Sequence, residues 1–273
     1  MRWLVFPYFN EAEVVEIKLA EMESWFDAVV IVEGNRTYAG AERELDFQKH
    51  DWSRWEGKIR YKAIDLPLFP GFEGLQPSQD FTAVANGAWL REEYLRNSPL
   101  SLMPDLEDDD VVLLTDADEI VKPDVLRRLE SYSVRFHLPQ YVMHLNWRWV
   151  WEPQAVARIT TGGQIMQKSI QGVVRGMEGE MRPVMGDMGW HFSYMGGRER
   201  ARYKIMQAAH IELAKHAGNV ERSFETGEDL FSRGASYQLY EAPLDELPEY
   251  VQQNYERFEW MFGDKLDPVG GRA

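Results

Sequence analysis

The sequence contains no cysteine among its 273 residues. This absence excludes disulfides, zinc–thiolate sites and thiol nucleophiles, so any chemistry must use carboxylates, imidazoles and hydroxyls. Long apolar runs are missing too, because no stretch approaches the roughly 20 apolar residues that a membrane span needs. The apolar segment over residues 2–6 is also too short for a signal peptide. The sequence therefore predicts a cytoplasmic protein without a membrane span.

Positive charge is scarce relative to negative charge. The chain has 30 lysines and arginines against 45 acidic residues, which gives a net charge of −15. Such a charge repels a phosphate backbone over long range, so duplex nucleic acid is disfavoured as a partner. The length and a hydrophobic content of 44% predict one large α/β domain over residues 1–273.

The hydrophobic patterns of the first half predict a parallel sheet. An apolar strand over 2–6, an amphipathic helix from Val14 and a buried strand over 28–33 form a β-α-β unit, whose strands must run parallel. Further strands are predicted over 58–64 and 111–115, with a helix over 80–96 between them. In the second half we predict a longer antiparallel element over 134–151, followed by helices over 197–217, 220–226 and 247–262. The predicted fold class is α/β, with a central, mostly parallel sheet flanked by helices.

The most informative segment is the apolar run from Val111, which ends abruptly in Asp116, Asp118 and Glu119. Asp116 and Asp118 are two residues apart, so in extended backbone their side chains point the same way. Hard cations prefer oxygen ligands gathered like this, and such a D-x-D motif can hold a divalent ion against the phosphates of a nucleotide-activated substrate. The alternative is a solvated acidic turn that caps the next helix.

Polar residues also follow the first two predicted strands. Asn10 comes after the first strand, and Glu33 ends the second. Open α/β sheets bind ligands beyond the carboxyl ends of their strands, so we expect both residues to converge with the acidic motif on one crevice.

Several further segments match a known family in order along the chain. They are Phe9-Asn-Glu11, Glu16-Ile-Lys-Leu19, Val30-Ile-Val-Glu33, Thr37-Tyr-Ala-Gly40, Leu45-Asp-Phe47, Leu90-Arg91, Asp116-Ala-Asp-Glu-Ile120, Gly189-Trp-His-Phe-Ser193, Lys204 and Asn254-Tyr-Glu-Arg-Phe258. With these segments the sequence resembles glycosyltransferase family 17, which includes the bisecting β-1,4-N-acetylglucosaminyltransferase. The animal members carry a membrane anchor and cysteines that this chain lacks, so secretory glycoproteins are not its expected acceptors.

The resemblance implies a GT-A fold, with a nucleotide-sugar-binding half over 1–130 and an acceptor half with C-terminal helices over 131–273. It also implies a metal-dependent, inverting transferase with a UDP-sugar donor and Mn²⁺ or Mg²⁺. N-acetylglucosamine or a related hexose would pass to the hydroxyl of a glycan, a lipopolysaccharide or another acceptor. Two other classes stay open: a metal-dependent nucleotidyltransferase or phosphohydrolase, and a non-catalytic carbohydrate-binding protein.

The same resemblance assigns roles to individual side chains. Asp118 and His191 are predicted to bind the metal, and Asp116 to bind either the metal or the ribose. Donor-binding residues are predicted at Asn10, Glu11, Glu33, Arg91, Asp116 and Lys204. Some of these residues have simpler alternatives: Asn10 could cap a helix, Arg91 and Lys204 could be ordinary exposed helix residues, and His191 could be a buried histidine beside Trp190.

Inversion at the sugar requires a carboxylate that takes the proton of the acceptor hydroxyl. We predict Asp187 and Glu119 as the first candidates for this base, with Asp229 as a further one. For each of them the alternative is a surface carboxylate without a catalytic role.

Overall fold

The computed structural model describes residues 1–69, 77–150, 154–176, 182–184, 186–233 and 238–265. Residue 151, the end of the predicted antiparallel element, therefore lies outside the described part of the chain. The strands are β1 Arg2–Tyr8, β2 Ala28–Gly34, β3 Ile59–Ile64, β4 Val111–Leu114, β5 Glu119–Val121, β6 Val134–Leu138, β7 Gln140–Val142, β8 Trp147–Trp149, β9 Gln154–Thr161, β10 Arg182–Val184, β11 Gly189–Ser193 and β12 Leu239–Glu241. The α-helices are α1 Ala12–Met22, α2 Pro77–Asn97, α3 Pro123–Leu129, α4 Gly162–Lys168, α5 Ile170–Gly176, α6 Arg198–Gln207, α7 Val220–Thr226, α8 Glu249–Gln253 and α9 Tyr255–Phe258.

The larger sheet has the strand order β10-β6-β9-β4-β1-β2-β3. Its pairings are parallel except for the two made by β9, which runs antiparallel to β4 and β6. All seven residues of β2 are buried, as expected for a strand covered on both faces. The predicted α/β class with a mostly parallel central sheet is confirmed.

Alternate residues of β1 show how helices cover the two faces of this sheet. Leu4 and Phe6 pack in the core that includes the apolar side of α1. Trp3 and Val5 point to the other face, where they share a core cluster with Ile165 of α4 and neighbouring residues of α5. The period-two alternation of a strand therefore supplies both cores.

The smaller sheet has the order β12-β8-β7-β11-β5. The prediction of one longer element over 134–151 was wrong, because the chain leaves the larger sheet after β6 and enters the smaller one at β7. Pro139 lies at this switch, and a proline cannot donate a ladder hydrogen bond. The predicted helix over 197–217 is also divided, into α6 and a 3-10 helix over Ile211–Asn219. Within the described residues, no helix combines the length and apolar character needed to cross a bilayer.

The strand pair β5–β11 places the acidic motif. After β4 the chain turns through residues 115–118 and enters β5, whose Glu119 lies directly opposite His191 of β11. Gly189 begins β11 with φ +150°, and a Cβ there would lie 1.9 Å from the Ile120 carbonyl oxygen. Only glycine allows β11 to approach β5 this closely. The Gly-Trp-His segment therefore delivers His191 to the carboxyl end of β4.

Candidate active site

Asp118, Glu119 and His191 form a compact cluster beyond the end of β4. Their ligand atoms lie within 4.8 Å of one another, and His191 Nε2 is 3.5 Å from Asp118 Oδ1. Glu119 Oε1 and His191 Nδ1 are buried without a hydrogen-bond partner among the described residues. Two carboxylates and an imidazole suit Mn²⁺, and the carboxylates also suit Mg²⁺. The residues present therefore fit a divalent ion.

Lys204 of α6 holds the cluster together from the other side. Its ammonium donates to Asp118 Oδ2 at 2.7 Å and also to Glu11 Oε1. Although burial alone would raise the pKa of Asp118, the charges of Lys204 and His191 lower it well below its usual range. Asp118 is therefore an anion at any physiological pH, which is the state a metal ligand needs.

Two other carboxyl groups near Lys204 and Asp118 hold their protons more tightly. Burial, together with the charge of Asp118, raises the pKa of Glu11 to about 7, in spite of the neighbouring Lys204. Burial and the charge of Asp116 raise the pKa of Glu119 to about 7. A carboxyl group that titrates near neutral pH can both take and return a proton during a reaction.

The structure does not bring the carboxylate of Asp116 into this cluster. Asp116 Oδ1 instead lies 2.7 Å from Arg96 of α2, while the Asp116 backbone N–H donates to Glu119 Oε2 at 2.9 Å. The predicted donor-binding arginine of the same helix, Arg91, is 1% exposed. Its Nε donates to the Tyr38 carbonyl at 2.7 Å, so it is not an ordinary exposed helix arginine. Arg96, which sequence reasoning missed, lines the cavity described below.

Glu33 and Asn10 both contact Arg43, another residue that the sequence did not single out. Glu33 is 0% exposed. Its Oε1 accepts from Arg43 at 2.8 Å and from the Asp46 N–H at 2.7 Å, and its Oε2 accepts from the Phe47 N–H at 3.1 Å and from Tyr61 at 2.9 Å. Asn10 Oδ1 accepts from Arg43, and the residue at the N-cap of α1 is Glu11, so Asn10 does not cap the helix. Glu33 therefore holds the loop over 43–47.

The cluster lies against a cavity of about 600 Å³, a volume typical of small-ligand sites. The loop after β2 contributes Tyr38 to its lining and α2 contributes Arg96, while β8 contributes Trp149 and the segment after α7 contributes Phe231. Lys204 also lines it. The cavity thus joins the predicted donor half to the predicted acceptor half, with the acidic cluster between them.

The three predicted bases lie at different places in the structure. Glu119 lines the cavity, whereas Asp187 lies in another groove, is 79% exposed and pairs with Lys122. Asp229 makes a two-pronged ion pair with Arg233. Of these three carboxylates, Glu119 has the position that a base would need.

Comparison with known proteins agrees with the motifs. The sequence model of glycosyltransferase family 17 matches residues 4–210. The human β-1,4-mannosyl-glycoprotein 4-β-N-acetylglucosaminyltransferase is 22% identical over 92% of this chain, which spans about half (53%) of that protein.

Two solved structures are also similar to this chain. TarS 1–349 from S. aureus has 13% identity and a TM-score of 0.38, covering 82% of this chain and 72% of its own. The mannosyltransferase PcManGT from Pyrobaculum calidifontis, in complex with GDP-mannose and Mn²⁺, has 11% identity and a TM-score of 0.38. The match covers 82% of this chain and 73% of PcManGT. The family match covers the acidic motif beyond β4 of the mostly parallel sheet. The chain belongs to glycosyltransferase family 17.

Proposed function

We propose that the protein is a metal-dependent, inverting glycosyltransferase that moves N-acetylglucosamine or a related hexose from a UDP donor to a glycan-type hydroxyl. The observation that carries the proposal is the cluster of Asp118, Glu119 and His191 against a cavity of about 600 Å³. The family match and the human relative, an N-acetylglucosaminyltransferase by name, support the reaction and the sugar.

In this proposal Asp118 and His191 hold Mn²⁺ or Mg²⁺. When bound, the ion supplies positive charge that stabilises the departing diphosphate. The chain adds two cations next to the same place, because Lys204 contacts Asp118 and Arg96 contacts Asp116. Negative charge that grows on the leaving group is stabilised most by charges already in position.

The remaining predicted donor-binding residues divide into two groups. Asn10, Glu11 and Asp116 lie near the carboxyl ends of β1 and β4, where the nucleotide is expected to bind. Glu33 accepts hydrogen bonds from the segment over 43–47 and from Tyr61, and Arg91 donates to the Tyr38 carbonyl. We propose that these two residues shape the donor pocket without touching the nucleotide.

Glu119 is the proposed base. Its raised pKa, about 7, lies near a neutral working pH, where proton transfer is most effective. Its Oε1 has no hydrogen-bond partner in the described part of the chain. Glu119 lines the cavity, and we propose that this buried oxygen takes the proton of an acceptor hydroxyl there.

The test of the function is a panel of nucleotide sugars with and without Mn²⁺, comparing the parent with Asp118→Asn and His191→Ala. We expect metal-dependent release of UDP from one donor, lost in both variants. Release of pyrophosphate or inorganic phosphate would instead indicate phosphoryl chemistry. Metal-independent glycan binding that survives Asp118→Asn would indicate a carbohydrate-binding protein.

The role of Glu119 needs a separate experiment, since a carboxylate bound to the metal cannot also be the base. We expect Glu119→Gln to keep the parent's Mn²⁺ affinity and to lower kcat by about 100-fold or more, the usual contribution of a general base. Asp187→Asn is the matched control and should leave both quantities unchanged. Loss of Mn²⁺ affinity in Glu119→Gln would make this residue a metal ligand.

A further inference from the structure

Lys18 is a buried cation directly beneath the acidic motif, and the mechanism above does not use it. It lies on α1 and is 0% exposed, which is rare for a lysine because burying an ammonium group is costly. Its Nζ lies 4.2 Å from the centroid of the Phe6 ring in β1. A lysine in this position must be held by polar partners.

The two partners of Lys18 both belong to the turn that follows β4. Its ammonium donates to Thr115 Oγ1 at 2.5 Å and to the Asp116 carbonyl at 2.7 Å. These atoms begin the segment that carries Asp118 and Glu119 into β5. Within the described residues, Lys18 makes no ion pair with a carboxylate, so its hydrogen bonds serve the backbone and hydroxyl of this turn.

We propose that Lys18 is a positioning residue of the metal site, which fixes the turn over 115–118 so that Asp118 and Glu119 meet His191. The inference rests on the proposed metal-dependent function. The positive charge of the ammonium also interacts with Glu119, Asp118, Asp116 and Glu11, which reduces the repulsion among these carboxylates. Groups that orient metal ligands in this way typically change metal affinity by about 10- to 100-fold.

The chain contains a matched lysine with no connection to the site. Lys58 also lies over a phenylalanine ring, with its Nζ 4.9 Å from the centroid of Phe26. It also donates to two carbonyls, those of Glu23 at 3.3 Å and Phe26 at 3.2 Å. Its backbone carbonyl accepts from Val29 near the start of β2, at the sheet edge opposite to the acidic cluster. Lys58→Met therefore removes a similar lysine without disturbing the turn.

The experiment is a calorimetric titration of Mn²⁺ into the parent, Lys18→Met, Lys58→Met, Thr115→Val and Asp118→Asn. We expect Lys18→Met to weaken Mn²⁺ binding by at least about tenfold. Thr115→Val, which keeps the shape and removes one of the two acceptors, should weaken it by less, and Lys58→Met should match the parent. Excess Mn²⁺ should restore the turnover of Lys18→Met, which a merely structural role of the lysine would not predict.

The outcomes separate the inference from the function on which it rests. If Asp118→Asn loses Mn²⁺ binding while Lys18→Met keeps the parent's affinity, the role of Lys18 is refuted and the metal site stands. If the parent binds no Mn²⁺, the proposed function fails as well. Should Lys18→Met fail to fold, Thr115→Val decides, since an unchanged Mn²⁺ affinity in that variant refutes the positioning role.

Discussion

Replacing Glu33 by glutamine tests whether this carboxylate holds the fold or contacts the donor. The substitution keeps the shape of the side chain and removes its charge. Arg43, which is 3% exposed, would lose its charged partner. The new amide nitrogen would face donors at either oxygen position, because Oε1 accepts from Arg43 and Asp46 and Oε2 accepts from Phe47 and Tyr61.

The least costly arrangement puts the amide nitrogen at the Oε2 position. Tyr61 can rotate its hydroxyl to accept from it, but the Phe47 N–H is then left buried without a partner, which costs about 1 to 3 kcal/mol. The buried guanidinium of Arg43 would also face a neutral amide in place of a carboxylate, which adds a cost of similar size. The free energy of unfolding should therefore fall by about 3 to 5 kcal/mol. That is a large part of the roughly 5 to 15 kcal/mol by which a typical protein is stable.

Urea unfolding followed by tryptophan fluorescence measures this loss as a lower midpoint. Glu44→Gln is the matched control, because Glu44 is 89% exposed and pairs only with Lys49 among the described residues, so its midpoint should not move. A loss below about 1 kcal/mol for Glu33→Gln would refute the reasoning. If the midpoint held while the donor KM rose, Glu33 would instead contact the nucleotide, as its position at a strand end first indicated.

Three further predictions concern the site. Arg96→Met should raise the donor KM more than Arg91→Met does, because Arg96 lines the cavity whereas Arg91 is buried and bonded to the Tyr38 carbonyl; an equal rise in KM for both variants would contradict this division. Gly189→Ala should abolish Mn²⁺ binding, because the added Cβ would force β11 away from β5. Mn²⁺ affinity measured by calorimetry tests this, and an unchanged affinity would show that the close approach of β11 to β5 is not needed for the metal site. In the presence of a chelator, the free energy of unfolding should fall as pH rises from 4.5 to about 7. Burial raises the pKa of Glu11 and Glu119 from 4.5 to about 7, so the folded state holds more protons than the unfolded chain. The fall in urea midpoint across this range should be smaller in Glu119→Gln, in which only Glu11 still contributes, and an equal fall in the variant would contradict the role of Glu119.

The strands and the acidic motif could be predicted because their signals are local. A buried strand needs an apolar run, and the carboxylates at its end stand out against it, as in the segment from Val111 to Glu119. His191 could be found only through the family motif, since nothing in its own neighbourhood shows that β11 pairs with β5. Cross-strand partners that are distant in sequence are fixed by tertiary structure.

The directions of single side chains could not be predicted. Arg91 and Arg96 lie on one helix, but which of them faces the cavity depends on how α2 packs against its neighbours. Asp187 is only a few residues from His191, yet its side chain turns towards Lys122 and solvent. Glu33 lies near the end of a strand at the expected edge, but its carboxylate accepts hydrogen bonds from the loop that contains Arg43. In each case the sequence predicted the position of the residue along the chain, whereas tertiary packing determined which groups its side chain contacts.

The contact between Lys204 and Asp118 has a consequence for the order in which ligands bind. The ammonium of Lys204 donates to Asp118 Oδ2 and bridges it to Glu11. If the proposed divalent ion binds Asp118 through Oδ2, it must displace this lysine, and its apparent affinity then includes the free energy of releasing the ammonium. The displaced ammonium stays tethered to α6 beside the cavity, where an anionic diphosphate is its natural new partner. We therefore expect ordered binding, with the metal first and the donor second, and a donor affinity that rises once the exchange is complete.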